Sequence, residues 1–271
     1  MVAYVCTVAG GKGGVGRTTT AINLGILFQQ EGYETVVVDM DLAMANVARK
    51  LGITPEQTIH DVLAEDAPVE DALLSTVAEL TICPGDWQLT SYADADASNL
   101  STVVDTLRQD YDVVIVDTSA GLSHATVVPL GLADGILLVT TSSEVAIYDT
   151  IKTAQLADRV DGSVIGVLMT CVEDDSVVDA AYDDLDHPLL GVVPAAEEPE
   201  GNPVVLSESA DQATLAYRSL TTVLSEIFFD GIDPENCDPV FDDDWFESDE
   251  NTAAESTEED NDSDDVIGLF K

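Results

Sequence analysis

Residues 10–19 read GGKGGVGRTT, and this stretch decides the fold. Gly10, Gly11, Gly13, Gly14 and Gly16 permit a tight turn and a close approach of backbone to a ligand. The run before it, Ala3 to Ala9, is apolar and β-rich, which predicts a buried strand. The run after it, Thr18 to Glu31, carries Ile22, Leu24, Ile26, Leu27 and Phe28 before Gly32. That pattern predicts a largely buried helix stopped by a glycine. A strand, a glycine turn and a helix in that order let backbone N–H groups and a helix N-terminus cradle a polyphosphate. The strict GxxxxGK[ST] pattern is met at Gly11, Gly16 and Thr18, whose hydroxyl suits Mg2+, and is broken at Arg17. Arginine keeps the positive charge and grips phosphate bidentately, yet its planar head is bulkier than an ammonium. Nucleotide binding should therefore survive while hydrolysis slows. The plain alternative is a structural turn with no ligand.

Outward from the loop the same alternation repeats. Thr35 to Asp39, Leu80 to Cys83, Asp112 to Asp117, Gly135 to Thr140, Ser163 to Thr170 and Pro188 to Pro194 are strand-like, mostly separated by helix-length segments. Strands apolar on both faces and alternating with helices predict an α/β fold, a mostly parallel sheet with helices on both faces. Between Glu208 and Ile227 apolar residues recur at helical spacing, a closing amphipathic helix. The folded domain is expected to span residues 1–229. Residues 230–271 are read as a disordered acidic tail, too polar to offset the entropy of ordering, ending in the short apolar motif VIGLFK. No internal repeat is visible.

The charge balance is extreme, with 53 acidic against 9 basic residues and a formal net charge of -44. Before Asp230 there are 36 acidic and 8 basic residues, so the excess covers the whole surface. Such a composition resembles proteins of organisms that keep molar salt in the cytoplasm, such as halophilic archaea, where self-repulsion is screened within roughly 3 Å. It disfavours DNA as a partner, because DNA binding needs Lys and Arg to neutralise phosphates. Cys6, Cys83, Cys171 and Cys237 are scattered singly, which predicts buried free thiols rather than a disulfide framework or zinc site. His60, His124 and His187 lack acid or serine partners at recognisable spacing and are assigned to structure. The N-terminus shows no charged n-region and no membrane span, so a cytoplasmic protein is expected.

GGKGGVGRTT resembles the deviant phosphate loop of the ParA/MinD family, whose pattern is KGGxGK[ST]. The resemblance implies that Lys12 reaches the phosphates of a partner copy across a nucleotide-sandwiched dimer, and that Arg17 replaces the lysine holding the chain's own phosphates. Gly11, Lys12, Gly13, Gly14, Val15, Gly16, Arg17, Thr18 and Thr19 would then form the nucleotide loop. VVVDMDLAMANV, residues 36–47, resembles the family's switch I, with Asp39 near the magnesium shell and Asp41 orienting the attacking water. DVVIVDTSAG, residues 112–121, resembles Walker B and switch II; Asp117 would hold Mg2+ through water and the Gly121 amide would sense the γ-phosphate. Ser119 stands where the family has Pro. Residues 138–150 and 191–205 resemble later MinD segments, the second placing Pro194 near the base, while Thr170 and Cys171 stand where the family has its base-contacting Asn. The resemblance covers residues 3–228. A capping role for Asp39 and Asp117, and a solvated loop charge for Lys12, are the plain alternatives.

The family resemblance implies a MinD-type ATPase with ATP and Mg2+ as cofactors, forming a homodimer when ATP-bound and positioning cellular machinery through an unidentified protein partner. A ParA-type partitioning ATPase and a non-hydrolysing nucleotide-gated scaffold are the alternatives. Val266–Lys271 is expected to dock on a protein partner or to have no role, and offers at most weak membrane contact, since six residues with one cation bind lipid marginally and neighbouring carboxylates repel anionic headgroups. The expected location is the cytoplasm, or peripherally the membrane or a cell pole.

Overall fold

The computed structural model describes residues 2–76, 78–121, 123–173, 185–196, 203–206, 212–242 and 245. The strands are β1 (Tyr4–Ala9), β2 (Thr35–Met40), β3 (Leu74–Ser75), β4 (Thr81–Cys83), β5 (Val113–Thr118), β6 (Gly135–Thr140), β7 (Val164–Val172) and β8 (Leu189–Pro194). They form one sheet in the order β3-β4-β2-β5-β1-β6-β7-β8. Every pairing is parallel except β3 with β4. All strands expected from sequence are present. The edge strand β3 was not foreseen, because two residues carry no readable alternation.

The helices are α1 (Arg17–Gln30), α2 (Val47–Lys50), α3 (Ile59–Leu63), α4 (Leu89–Asp94), α5 (Leu100–Leu107), α6 (His124–Leu132), α7 (Glu144–Arg159) and α8 (Gln212–Ser225). The central strands β2, β5 and β6 are buried along their whole length, so alternate side chains fill opposite layers. Val8, Val37, Ile115 and Leu137 pack with α1 and α8 on one face. Val36, Val38, Val114 and Val116 meet Leu63, Leu100 and Leu107 on the other, and Leu138, Val167 and Met169 meet Leu130, Ile147 and Ala154 beside them. This two-layer burial is why the strand sequences read as unbroken apolar runs.

At the N-terminal edge of the sheet, Tyr4 stacks on Phe228 with ring centroids 3.9 Å apart, and Phe28 stacks on Phe228 at 5.4 Å. These contacts fasten the turn after α8, Glu226–Asp230, to β1 and α1. The described chain continues past the expected boundary at Phe229. Val240 joins the outer edge of β8, accepting from the Val192 N–H at 2.9 Å and donating to the Leu190 carbonyl at 3.0 Å. A strand edge with bare peptide groups is a pairing hazard, and this segment covers part of it. The rest of the acidic tail, Val266–Lys271 included, lies outside the described residues. The cysteines are free as expected, but only Cys6 and Cys83 are buried; Cys171 is exposed and Cys237 half-buried. Cys171 has a φ of 54° at the end of β7, which turns its side chain out of the strand's alternation. No helix among the described residues is long and apolar enough to cross a membrane.

Candidate functional site

The C-terminal ends of β1, β2, β5, β6, β7 and β8 converge on one crevice, with β1 between β5 and β6 at the point where helices depart to opposite faces. The glycine loop crosses that crevice. Its exit is set by Gly16, which takes a φ of 87° immediately before α1 and whose carbonyl accepts from the Thr20 N–H at 2.8 Å. Its entrance is set by close packing. A Cβ on Gly11 would lie 2.2 Å from the Asp149 carbonyl oxygen, so the backbone of α7 passes where any side chain would stand. Val15 is buried beneath, while Lys12, Gly13 and Gly14 are exposed. Lys12 makes no ion pair or hydrogen bond among the described residues.

Thr170 reaches the loop from β7. Its hydroxyl lies 2.7 Å from the Val15 carbonyl and 3.1 Å from the Thr140 carbonyl, and its one proton is shared between them. The side chain is buried and commits its donor to bracing the loop. Pro194 closes β8 beside Val172 on the same edge of the sheet. Gly121 lies in the turn after β5 with a φ of 98°.

Parallel pairing of β2 with β5 sets Asp39 directly opposite Asp117. Both are fully buried. Asp39 accepts three backbone N–H groups, from Asp41 at 3.2 Å and from Asn46 and Val47 at 3.0 Å each. The segment between these residues is thereby folded over its carboxylate. Burial pushes the Asp39 carboxyl up to about 6 against the pull of those N–H groups. Asp117 is raised well above the usual range by burial first and by Asp39 second. The Thr18 hydroxyl and the Arg17 guanidinium oppose that rise. Neither Asp117 oxygen meets a hydrogen-bonding geometry, the Thr18 hydroxyl included.

An unpartnered buried carboxylate is costly and points to a missing ligand. No group of three or more His, Cys, Asp or Glu side chains among the described residues could hold a metal unaided. A hard cation here would complete its shell with the Thr18 hydroxyl, water and phosphate oxygens, which is how Mg2+ is held beside a nucleotide. The donor set fits that group.

Arg17 runs inward rather than out along the loop. Its side chain is buried and Nη1 donates to the Thr118 carbonyl at 2.7 Å. Burial lowers its pKa, with Asp117 and Asp41 opposing. The guanidinium therefore ties the start of α1 to the end of β5. Asp41 is partly exposed, and its Oδ1 accepts from the Met44 N–H at 3.1 Å.

The family model described as an AAA domain matches residues 3–162. The chain belongs to the ParA/MinD family of P-loop ATPases. Within that family, an ATP-binding protein of Methanocaldococcus jannaschii is 30% identical over 219 residues, covering 80% of this chain and 82% of its own. The septum site-determining protein MinD of Synechocystis is 27% identical over 232 residues, covering 80% and 87%. Among solved structures, MinD of Pyrococcus horikoshii complexed with Mg-ADP superposes with a TM-score of 0.79 at 28% identity, covering 85% of this chain and 99% of that one.

Several groups that build this ParA/MinD site were given no role in it by sequence reading. Buried Asn23 donates to the Thr19 carbonyl at 2.8 Å and accepts from the Val205 N–H at 3.0 Å, joining α1 to the segment before α8. Ser119, in place of the family's Pro, shares a hydrogen bond of 2.9 Å with Thr126 and so fastens switch II to α6. His60 is buried against switch I. Each joins segments far apart in the chain or across a turn, a relation that no local spacing reveals.

Proposed function

We propose that the chain is a MinD-type switch that binds Mg2+ and ATP in this crevice, pairs with a second copy around the nucleotide, and is released by hydrolysis to ADP and phosphate. The observation that carries the reading is the pair of buried carboxylates set side by side behind the phosphate loop, one of them with both oxygens unpartnered. Backbone N–H groups of Gly13 to Thr19 and the N-terminus of α1 bind the phosphates. Thr18, Asp39 and Asp117 hold the metal, which supplies charge neutralisation on the phosphates. Asp41, partly exposed on the folded-over segment, orients the attacking water. Lys12, exposed at the crown of the loop with no partner among the described residues, is placed to reach the phosphates of a second copy. The ATP-bound pair presents a surface to a protein partner and so positions cellular machinery, in the cytoplasm or at the membrane periphery.

A second reading, a nucleotide-gated scaffold with little turnover, is favoured by one observation: Arg17 is bonded to the Thr118 carbonyl and not extended along the loop. Turnover and oligomeric state in molar KCl separate the two for wild type, Lys12→Ala and Arg17→Lys. The switch reading expects ATP turnover and an ATP-dependent dimer in wild type, and loss of both in Lys12→Ala. The scaffold reading expects dimerisation without phosphate release, with turnover appearing in Arg17→Lys. Wild type that neither binds ATP nor dimerises refutes both.

A further inference from the structure

We infer that His60 is a positioning residue, a clamp that holds switch I in its metal-facing form and links it to the surface loop carrying Trp87. The inference rests on the nucleotide reading above and concerns a residue outside the nucleotide loop. His60 is 1% exposed on α3. Its Nδ1 faces the Asp86 N–H at 3.0 Å, and its Nε2 faces the Leu42 carbonyl at 2.9 Å. A backbone N–H can only donate and a carbonyl can only accept. The two partners therefore fix the neutral tautomer with the proton on Nε2, donating to Leu42.

Leu42 sits within the segment that folds over Asp39. From the inside, Asp39 gathers the N–H groups of Asp41, Asn46 and Val47. From the outside, His60 holds the carbonyl of Leu42 between them. Gly85 closes the third side, since a Cβ there would lie 2.5 Å from the Ala45 Cβ, 3.4 Å from the His60 ring and 3.5 Å from the Asp39 carboxyl carbon. The switch segment is thus gripped between its own metal-side carboxylate and the 85–91 loop, and among the described residues the His60 side chain bonds the segment at the Leu42 carbonyl and the loop at the Asp86 N–H.

The grip reaches the surface. Asp86, which donates to His60, accepts from the Trp87 N–H at 2.7 Å and the Gln88 N–H at 3.2 Å, and from the Ser91 hydroxyl at 2.6 Å. Trp87 is 80% exposed at the rim of a cavity of about 580 Å³ walled by Ala45 and Arg49 on the switch side and Gly85 and Ser91 on the other. A change in switch I moves one wall of that cavity against the other, and His60 is the joint.

The test measures ADP affinity of the full-length protein with and without Mg2+, together with Trp87 emission. The Trp245→Phe background leaves Trp87 as the sole tryptophan of the two in the chain. His60→Gln places an amide N–H where Nε2 stood and keeps the Leu42 bond; His60→Asn places an acceptor near Nδ1 and keeps the Asp86 bond; His60→Ala keeps neither. His60→Ala and His60→Asn should lose roughly tenfold of the Mg2+-dependent gain in ADP affinity, with metal-free affinity unchanged. His60→Gln should stay within about twofold of wild type in affinity. On adding Mg2+ and ADP, Trp87 emission should shift in the His60 parent and stay still in His60→Gln and His60→Ala. Equal Mg2+-dependent affinity in the Gln, Asn and His proteins overturns the clamp while leaving the nucleotide site standing. A wild type without ADP affinity removes the nucleotide reading and the clamp together. If His60→Ala does not fold, the contrast between Gln and Asn decides alone.

Discussion

Two carboxylates at opposite edges of one sheet live under opposite conditions. Asp134, at the N-terminal edge, is 40% exposed in its side chain, yet protein groups hold it: its Oδ2 pairs with Arg108 at 2.8 Å and accepts from the Val5 N–H at 2.8 Å. Asp117, at the C-terminal edge, is shut away from water and has no partner for either oxygen. The group that water could have satisfied is tied down by protein, and the group that water cannot reach is left open. Around Asp134 lie stacked rings and a chain terminus secured to α5 through Arg108 and the Ala3 carbonyl. Around Asp117 lie a second buried carboxylate, an inward-turned arginine and a glycine loop with an exposed crown. One edge supplies stability, and the other leaves a buried carboxyl group without a hydrogen-bond partner.

The sharpest way to break this contrast is Asp117→Asn. If the orphaned carboxylate is there for Mg2+, turnover at saturating ATP falls roughly 10²- to 10³-fold. Thermal stability of the nucleotide-free protein should not fall, because no native hydrogen bond is lost. Steady-state phosphate release and a melting curve, both in molar KCl, check the pair of outcomes. A large loss of stability with turnover intact would make Asp117 a structural residue instead.

Asp39 gives a smaller effect with a defined pH window. Its carboxyl is raised by burial from near 3.9 in the unfolded chain to about 6 when folded. The folded state thus holds its proton more tightly, and this group's contribution to stability is complete below about pH 4. It is lost as pH rises through about 6, a difference of about 2–3 kcal/mol. Denaturant titrations between pH 4 and 8 should give a shallower loss of stability with pH for Asp39→Asn than for wild type. Comparing slopes removes both the general repulsion among carboxylates and the backbone bonds that Asn weakens at every pH. Added Mg2+ and ADP should flatten the wild-type slope, since a cation favours the ionised form. Parallel slopes for both proteins would show that Asp39 is not a strained acid.

The two edges also differ in how well the sequence announces them. The parallel sheet, the loop, and the carboxylates ending β2 and β5 are legible, because apolar runs, glycines and strand-terminal acids are local signals. Arg17 is legible as a departure from the pattern, but not its direction: the 2.7 Å bond to Thr118 depends on β5 returning beside β1, a pairing of residues 101 apart. Thr170 reads as a base neighbour by position, whereas the fold turns its hydroxyl onto the loop backbone. His60 reads as a lone structural histidine because both its partners are backbone groups, which carry no sequence signature. The aromatic edge was invisible for a related reason. Tyr4, Phe28, Tyr33, Phe228 and Phe229 come from three distant segments, and only the return of α8 across α1 stacks them.

That edge offers the mildest and most selective break. Phe228 is half-buried between Tyr4 and Phe28, with centroids at 3.9 and 5.4 Å. Full removal of a buried Phe destabilises by roughly 3–5 kcal/mol, and a half-buried ring at the rim by roughly half of that, about 2 kcal/mol. Phe228→Ala should therefore lower the unfolding free energy by about that amount in denaturant titration. ADP affinity should stay within about twofold of wild type, because distant sites that share no partner behave additively. Phe228→Leu, which refills part of the space, should recover much of the stability loss. The ring sits on the turn after α8, and α8 in turn reaches the loop helix through Tyr217 and Thr20, whose hydroxyls lie 3.2 Å apart. If Phe228→Ala weakened nucleotide binding along with stability, that contact would be transmitting strain through α8, and the two edges would not be separable. Unchanged affinity in a protein that melts earlier would show that the sheet insulates its ligand edge from its stabilising edge.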